Sequence, residues 1–276
     1  MLSGIFLIIL LFAFGRTISN KKNIAISAEE VVPQKLFDIA QFINVEKAKL
    51  SPSQSITLSS LENNINRGDV VAQQIKANEA LAAFWKDSVK SFEPYAFYTS
   101  SASKLDNSEK NLTFAARIFL DNLRGEKDEA KLNWETTEAI DLFERALKLN
   151  PDNDALKIGL GSCYIYGKGR NGKPEETMKG IQQLLSVVRK DSTNMEAQMM
   201  LGVGGLVSGQ FEKSIERLIK VVLAQPQNGE AVAYLADAYA GKGDKANAVK
   251  WYNISKRLIN NPHYTEEVDA RIKTLK

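Results

Sequence analysis

Apolar positions recur along most of this 276-residue chain at the spacing of one helix face. Leu36, Ile39, Ala40 and Ile43 fall at i, i+3, i+4 and i+7 after Pro33, a residue suited to a first helical turn. Ser51-Pro52-Ser53 breaks that stripe. Leu58, Leu61 and Ile65 start another. Val70, Val71, Ile75, Ala80, Leu81, Ala83, Phe84 and Trp85 mark the next, and Pro94, Tyr95, Phe97 and Tyr98 open one more. No segment alternates with the period of a strand, so the pattern predicts an all-α chain.

The N-terminus breaks this periodicity. Ile5 to Phe14 is uninterrupted apolar sequence, followed by Arg16, Lys21 and Lys22. The run is short beside the roughly 20 residues of a spanning helix, but tilt or bilayer thinning accommodates such mismatch. We read residues 1–15 as a transmembrane signal anchor. A signal peptide cleaved near Ala13-Phe14-Gly15 and a buried soluble helix are the alternatives. Residues 16–32 are polar and read as a linker, and 33–108 as an N-terminal helical region. The expected localisation is a single-pass membrane protein. The flanking charges favour a cytoplasmic domain, whereas a lone anchor ahead of a large domain favours a periplasmic one.

The C-terminal half repeats itself. Residues 195–228 and 229–262 are both 34 residues long. Leu201-Gly202 aligns with Leu235-Ala236, Gly209 with Gly243, Ser214 with Ala248, Leu218 with Tyr252 and Val221 with Ser255. Small residues at 202, 236, 214 and 248 allow two helices to cross closely. Gly209 and Gly243 suit the left-handed end of a first helix. Leu218 and Tyr252 would fill the space beneath. Longer copies occupy 154–194, with about seven extra residues between the helices, and 109–153, with about eleven. A degenerate copy is expected at 69–107. The last segment, 263–276, is amphipathic, with Val268, Ile272 and Leu275 inward, and suits a capping helix.

These blocks resemble the tetratricopeptide repeat family, through Leu-Gly or Leu-Ala, Tyr239, the helix-ending glycines, Ala248 and the closing Pro262. Gly205 stands where Tyr239 supplies an aromatic ring. With its apolar N-terminus, the chain also looks like membrane-anchored tetratricopeptide repeat proteins of Bacteroidota. The resemblance implies an α-solenoid of stacked helical hairpins whose first helices line a concave groove. Stepping along those helices gives Thr113, Arg117, Ile158, Ser162, Ile165, Tyr166, Met199, Val203, Leu206, Tyr234 and Asp237 as the groove-facing set. Some family members grip a peptide carboxylate there with Lys, Asn and Arg. The corresponding residues here are Ile158, Met199, Ala233, Ser162, Val203 and Asp237, which lack that clamp. The groove reads as mainly apolar, fit for an amphipathic or extended apolar segment. The chain's own helix at 33–50 is an alternative occupant.

Composition narrows the chemistry. Lys plus Arg is 36 and Asp plus Glu 33, so no strongly basic face argues for nucleic acid. One Cys, Cys163, and one His, His263, leave no disulfide, no Cys-rich metal site and no two-imidazole site. Gly167 to Pro174 approximates a phosphate-binding loop. Pro174 sits where such a loop needs Ser or Thr, and the segment follows a helix instead of a strand. It reads as an inter-helix insertion, with a mildly basic contact loop through Lys168, Arg170 and Lys173 as the second reading. Arg67-Gly68-Asp69 reads as helix punctuation, and the sequons at Asn111 and Asn253 fall within predicted helices. The expectation is a non-enzymatic, membrane-anchored scaffold that uses no cofactor or small-molecule substrate and binds a protein or peptide. A self-assembling homo-oligomer is the alternative.

Overall fold

The computed structural model describes residues 36–67, 70–171 and 174–275. The apolar run 5–14, the linker and the Gly68-Asp69 pair lie outside them. Among the described residues there are thirteen α-helices and no strand, and no helix is long and apolar enough to cross a membrane. Helices α1 (Ile39–Lys47) and α2 (Pro52–Arg67) lead into α3 (Val71–Ala83), which continues as a π-helical turn, Phe84–Val89. Five helical hairpins follow in order: α3 with α4 (Phe92–Asp106), α5 (Glu109–Leu123) with α6 (Glu129–Leu149), α7 (Asp154–Tyr166) with α8 (Pro174–Lys190), α9 (Met195–Val207) with α10 (Phe211–Ala224), and α11 (Gly229–Lys242) with α12 (Lys245–Ile259). Helix α13 (Pro262–Leu275) closes the stack against α12.

Polar residues in the short turns between helices cap the start of the next helix. Asn153, Asn194 and Asn228 accept backbone N–H bonds from the first turns of α7, α9 and α11, and Ser108, Asp128 and Asp244 do so for α5, α6 and α12. Each such cap contributes about 1 kcal/mol. Gly209 and Gly243 adopt φ of +70° and +85° at the ends of α9 and α11, as the repeat pattern predicts. The crossing points are equally explicit. A Cβ on Gly202 would meet Leu218 at 2.6 Å, and Ser214 Oγ donates to Gly202 O at 2.7 Å. Gly205 lies against Ser214, so the missing aromatic is replaced by close helix approach.

The two expected insertions resolve differently. In 154–194 the extra residues form a linker holding a 3₁₀ turn, Lys168–Asn171. In 109–153 the extra residues mostly lengthen α6, which has 21 residues against 14 in α10.

The core is layered. A central cluster holds Phe119, Phe143, Leu156, Ile165 and Leu184, all fully buried, each contributing about 1.5–3 kcal/mol. A second cluster lies between α10, α11 and α12, and a third joins α1 to α4. Val268 and Ile272 bury the inward face of α13 beside Tyr252, with Leu275 partly buried against them. The described part of the 33–50 segment does not enter the groove. Phe37 packs on Trp134, Lys131 lies over the rings of Phe37 and Phe42, and Lys47 pairs with Glu62. Helix α1 is therefore held beside α2, α4 and α6.

Candidate functional site

The later half of α5 and the earlier halves of α7 and α9 come together around a cleft of ≈ 160 Å³. Arg117, Leu120, Asp121 and Arg124 enter it from α5 and its C-terminal cap; Ala155, Ile158 and Ser162 from α7; Glu196 and Met199 from α9. Gly159 permits this shape, because its Cα rests on the Phe143 ring and a Cβ would lie 2.4 Å from it. Four charged side chains rim the cleft, two of each sign. Arg117 is exposed and has no ion-pair partner among the described residues. The mainly apolar groove expected from sequence is therefore a cleft with an apolar floor and a charged rim.

Of the eleven residues predicted to face the groove, Arg117, Ile158, Ser162 and Met199 line this cleft. Tyr166 and Tyr234 meet one turn further along, where their hydroxyls lie 3.2 Å apart. Ile165 and Val203 are buried in the central core and do not line the cleft. They fall on the inward side because α7 and α9 approach closely, with Gly204 against Ile165. Leu206 is half-buried against the second cluster. Asp237 is already engaged. It accepts from Tyr252 Oη at 2.5 Å and Arg271 Nη1 at 2.9 Å, tying α13 to α11. Burial nevertheless raises its carboxyl above the ordinary range, against those two bonds.

Sequence reasoning missed Leu120, Asp121, Arg124, Glu196 and Glu230. The signal was available for four of them, since 120, 121 and 124 continue the face of Arg117 and 196 precedes Met199 by one turn. Glu230 was not accessible that way. Its carboxylate meets Arg124 Nη1 at 2.6 Å across two intervening hairpins, while the Arg124 guanidinium lies 4.8 Å from the Tyr166 ring centre. Burial pushes the phenols of Tyr166 and Tyr234 up, so both keep their protons near neutral pH.

The end of α5 that presents Arg124 is itself fixed by polar contacts. Arg170 Nη1 donates to Leu123 O at 2.9 Å and Glu126 O at 3.1 Å, satisfying carbonyls at that helix terminus. Part of the glycine-rich basic loop is therefore a cap for α5. Gly167 and Gly169 lie against Thr136 and Thr177, where a side chain would collide. Gly172 and Lys173 lie outside the described residues. Beside this cap, fully buried Glu135 accepts from Asn122 Nδ2 at 2.9 and 3.1 Å. Burial, reinforced by Glu126 and Glu93 and opposed by Asn122 and Lys131, raises its carboxyl to about 7. Cys163 is fully buried, which pushes its thiol up and leaves it a packing residue. His263 is exposed near Glu267. Among the described residues, no group of three His, Cys, Asp or Glu is placed to hold a metal ion.

Residues 205–261 match the family model described as tetratricopeptide repeat. Over 62 residues, 22% of this chain, the sequence is 42% identical to cellulose synthase operon protein C of Escherichia coli K12. That stretch is 5% of the relative, so the chain spans about a twentieth of its length. It is 28% identical over 159 residues to BBSome complex member BBS4 of Bos taurus, 54% of this chain and 29% of that protein. Among solved structures, MamA from Desulfovibrio magneticus RS-1 aligns with a TM-score of 0.48 and 20% identity, covering 70% of this chain and 97% of that one. YrrB, described as a TPR protein with an unusual peptide-binding site, gives 0.46 and 16%, covering 76% and 97%. The family match falls on the end of α9, on α10 and on the hairpin α11–α12, where Gly209, Gly243 and Tyr252 take their expected places, and the chain carries tetratricopeptide repeats there.

Proposed function

We propose that this protein is a non-enzymatic scaffold that binds a segment of a partner protein at the concave cleft. The observation that carries this reading is the cleft itself. Three first helices converge on an apolar floor of Ile158 and Met199, ringed by Arg117, Asp121, Arg124 and Glu196. Such a site suits an amphipathic segment that places an apolar side chain on the floor and polar groups on the rim. Met199 is half-buried and adaptable, a property of methionine-containing contact surfaces.

The architecture read from the sequence belongs to the same proposal: repeats at 109–153, 154–194, 195–228 and 229–262, a degenerate one at 69–107, and membrane attachment through residues 1–15. The resemblance to membrane-anchored proteins of Bacteroidota supports the attachment. Carbonate extraction of membranes from expressing cells tests it, and release of the full chain into the soluble fraction would end that part of the proposal.

The test of the binding site is a full-length Arg117→Glu, Met199→Glu variant. Both positions are at least partly exposed, so helix content measured by circular dichroism is expected to stay at the parent value. Partners co-purified with the parent should then be lost. Retention of the same partners by the folded variant would exclude the cleft as the site.

A further inference from the structure

Four side chains join the concave face of the stack from its second hairpin to its fifth. Arg124, at the end of α5, lies on the Tyr166 ring of α7 and pairs with Glu230 in the first turn of α11. Tyr234, one turn further along α11, meets Tyr166 hydroxyl to hydroxyl. We infer that these residues form a clasp that gates the concave cleft, opening when a partner segment enters. This inference rests on the reading of the cleft as the binding site and concerns how that site is controlled.

Three observations carry it. First, the cleft of ≈ 160 Å³ holds a side chain but not a chain segment, since sites for even drug-sized ligands run to roughly 300–1,000 Å³. A segment that continues from the cleft past Arg124 must therefore displace its pairing with Glu230. Second, the clasp borders the cleft: Arg124 lines it, and Asn228, which caps α11 two residues before Glu230, places its Nδ2 4.0 Å from Met199 Sδ on the floor. Third, the contacts are of a kind that opens readily. Arg124 and Glu230 keep 45% and 43% of their side-chain surface in solvent, where an ion pair is weak and screened by salt. The two tyrosines, Tyr166 buried and Tyr234 half-buried, join by a single hydroxyl contact of 3.2 Å. The arms are also unequal. Arg124 has a second partner in the Tyr166 ring, so the Glu230 side chain is the one that turns away while α11, anchored by buried Ala231, Val232 and Leu235, stays in place.

The test needs no partner. A Met199→Cys reporter in the full-length chain is labelled with a maleimide, with buried Cys163 as the silent internal control. Unclasping by the near-isosteric pair Glu230→Gln, Tyr234→Phe should raise the labelling rate about fivefold, the factor expected for losing an exposed ion pair and a hydroxyl contact. High salt should move the parent rate in the same direction. The exchanged pair Arg124→Glu, Glu230→Arg should return the rate toward the parent value. An unchanged rate in the unclasped variant, with circular dichroism confirming its fold, overturns the gate. The outcome is independent of partner capture: a faster rate with no partner at Met199 leaves the clasp standing and removes the binding reading instead.

Discussion

The two ends of the concave face are built on the same first helices and differ in kind. Along the earlier turns of α7 and α9, facing the later half of α5, the face is open, with Gly159 over Phe143 and small residues leaving a cleft. Beyond the cap of α5 and the end of α7 it is crossed by Arg124, which borders both ends, with Tyr166, Tyr234 and Glu230. Repeat register alone treats these two ends as equivalent. What separates them is the set of side chains long enough to reach the next layers. Arginine and tyrosine bridge where alanine, serine and glycine leave space. The comparison teaches that an α-solenoid sets the size of its binding surface residue by residue, within one unchanged stack.

The largest effect is expected beneath the open end. Phe143→Ala removes the fully buried ring on which Gly159 rests and should cost about 3–5 kcal/mol by urea denaturation. It should deepen the cleft floor and leave the clasp residues in place. An effect below about 1 kcal/mol would mean that the floor does not depend on this ring.

The next effect sharpens the closed end, because Glu135 lies beneath the turn from which Arg124 emerges. Its carboxyl is raised to about 7, above its ordinary value of 4.5. The folded state therefore holds a proton that the unfolded chain releases. This contribution is fully present below about pH 4.5, and it is lost as pH rises through about 7. Denaturation at pH 5 and pH 8 should show the parent losing about 2 kcal/mol that Glu135→Gln does not lose. Equal pH dependence in both proteins would remove Glu135 as the cause. Arg170→Ala should be smaller, about 1–2 kcal/mol, from two lost bonds to the end of α5. It should also raise labelling at the Met199→Cys reporter, by loosening the residue that bears the clasp cation. No change in either quantity would return this loop to the status of a plain connection.

Much of this architecture was legible in the sequence, and the reasons are local. Gly209 and Gly243 announce left-handed helix ends, and Asn153, Asn194 and Asn228 announce helix starts. The 34-residue spacing aligns Gly202 with Ala236 and Leu218 with Tyr252 because the same crossing recurs. The candidate site was legible only in part. Arg117, Ile158, Ser162 and Met199 follow from helical spacing. Ile165 and Val203 look identical by spacing but are buried, because neighbouring first helices approach at Gly204 more closely than periodicity reveals. The pairing of Arg124 with Glu230 spans 106 residues and depends on the curvature of the whole stack. Nothing in the spacing of α6 singles out Glu135; its burial against Asn122 is set by the packing of α5 on α6. The extra length in 109–153 reads as a loop, but α6 absorbs most of it as additional helical turns.

The central claim is that the concave cleft, and not the convex side, meets the partner. A photo-crosslinking residue placed at Met199, and separately at Leu223, which is 77% exposed on the second helix α10, tests it in the full-length chain within cells. The account predicts a discrete adduct from position 199 that disappears with Arg117→Glu and is absent from position 223. The same adduct from position 223, with none from 199, would contradict it.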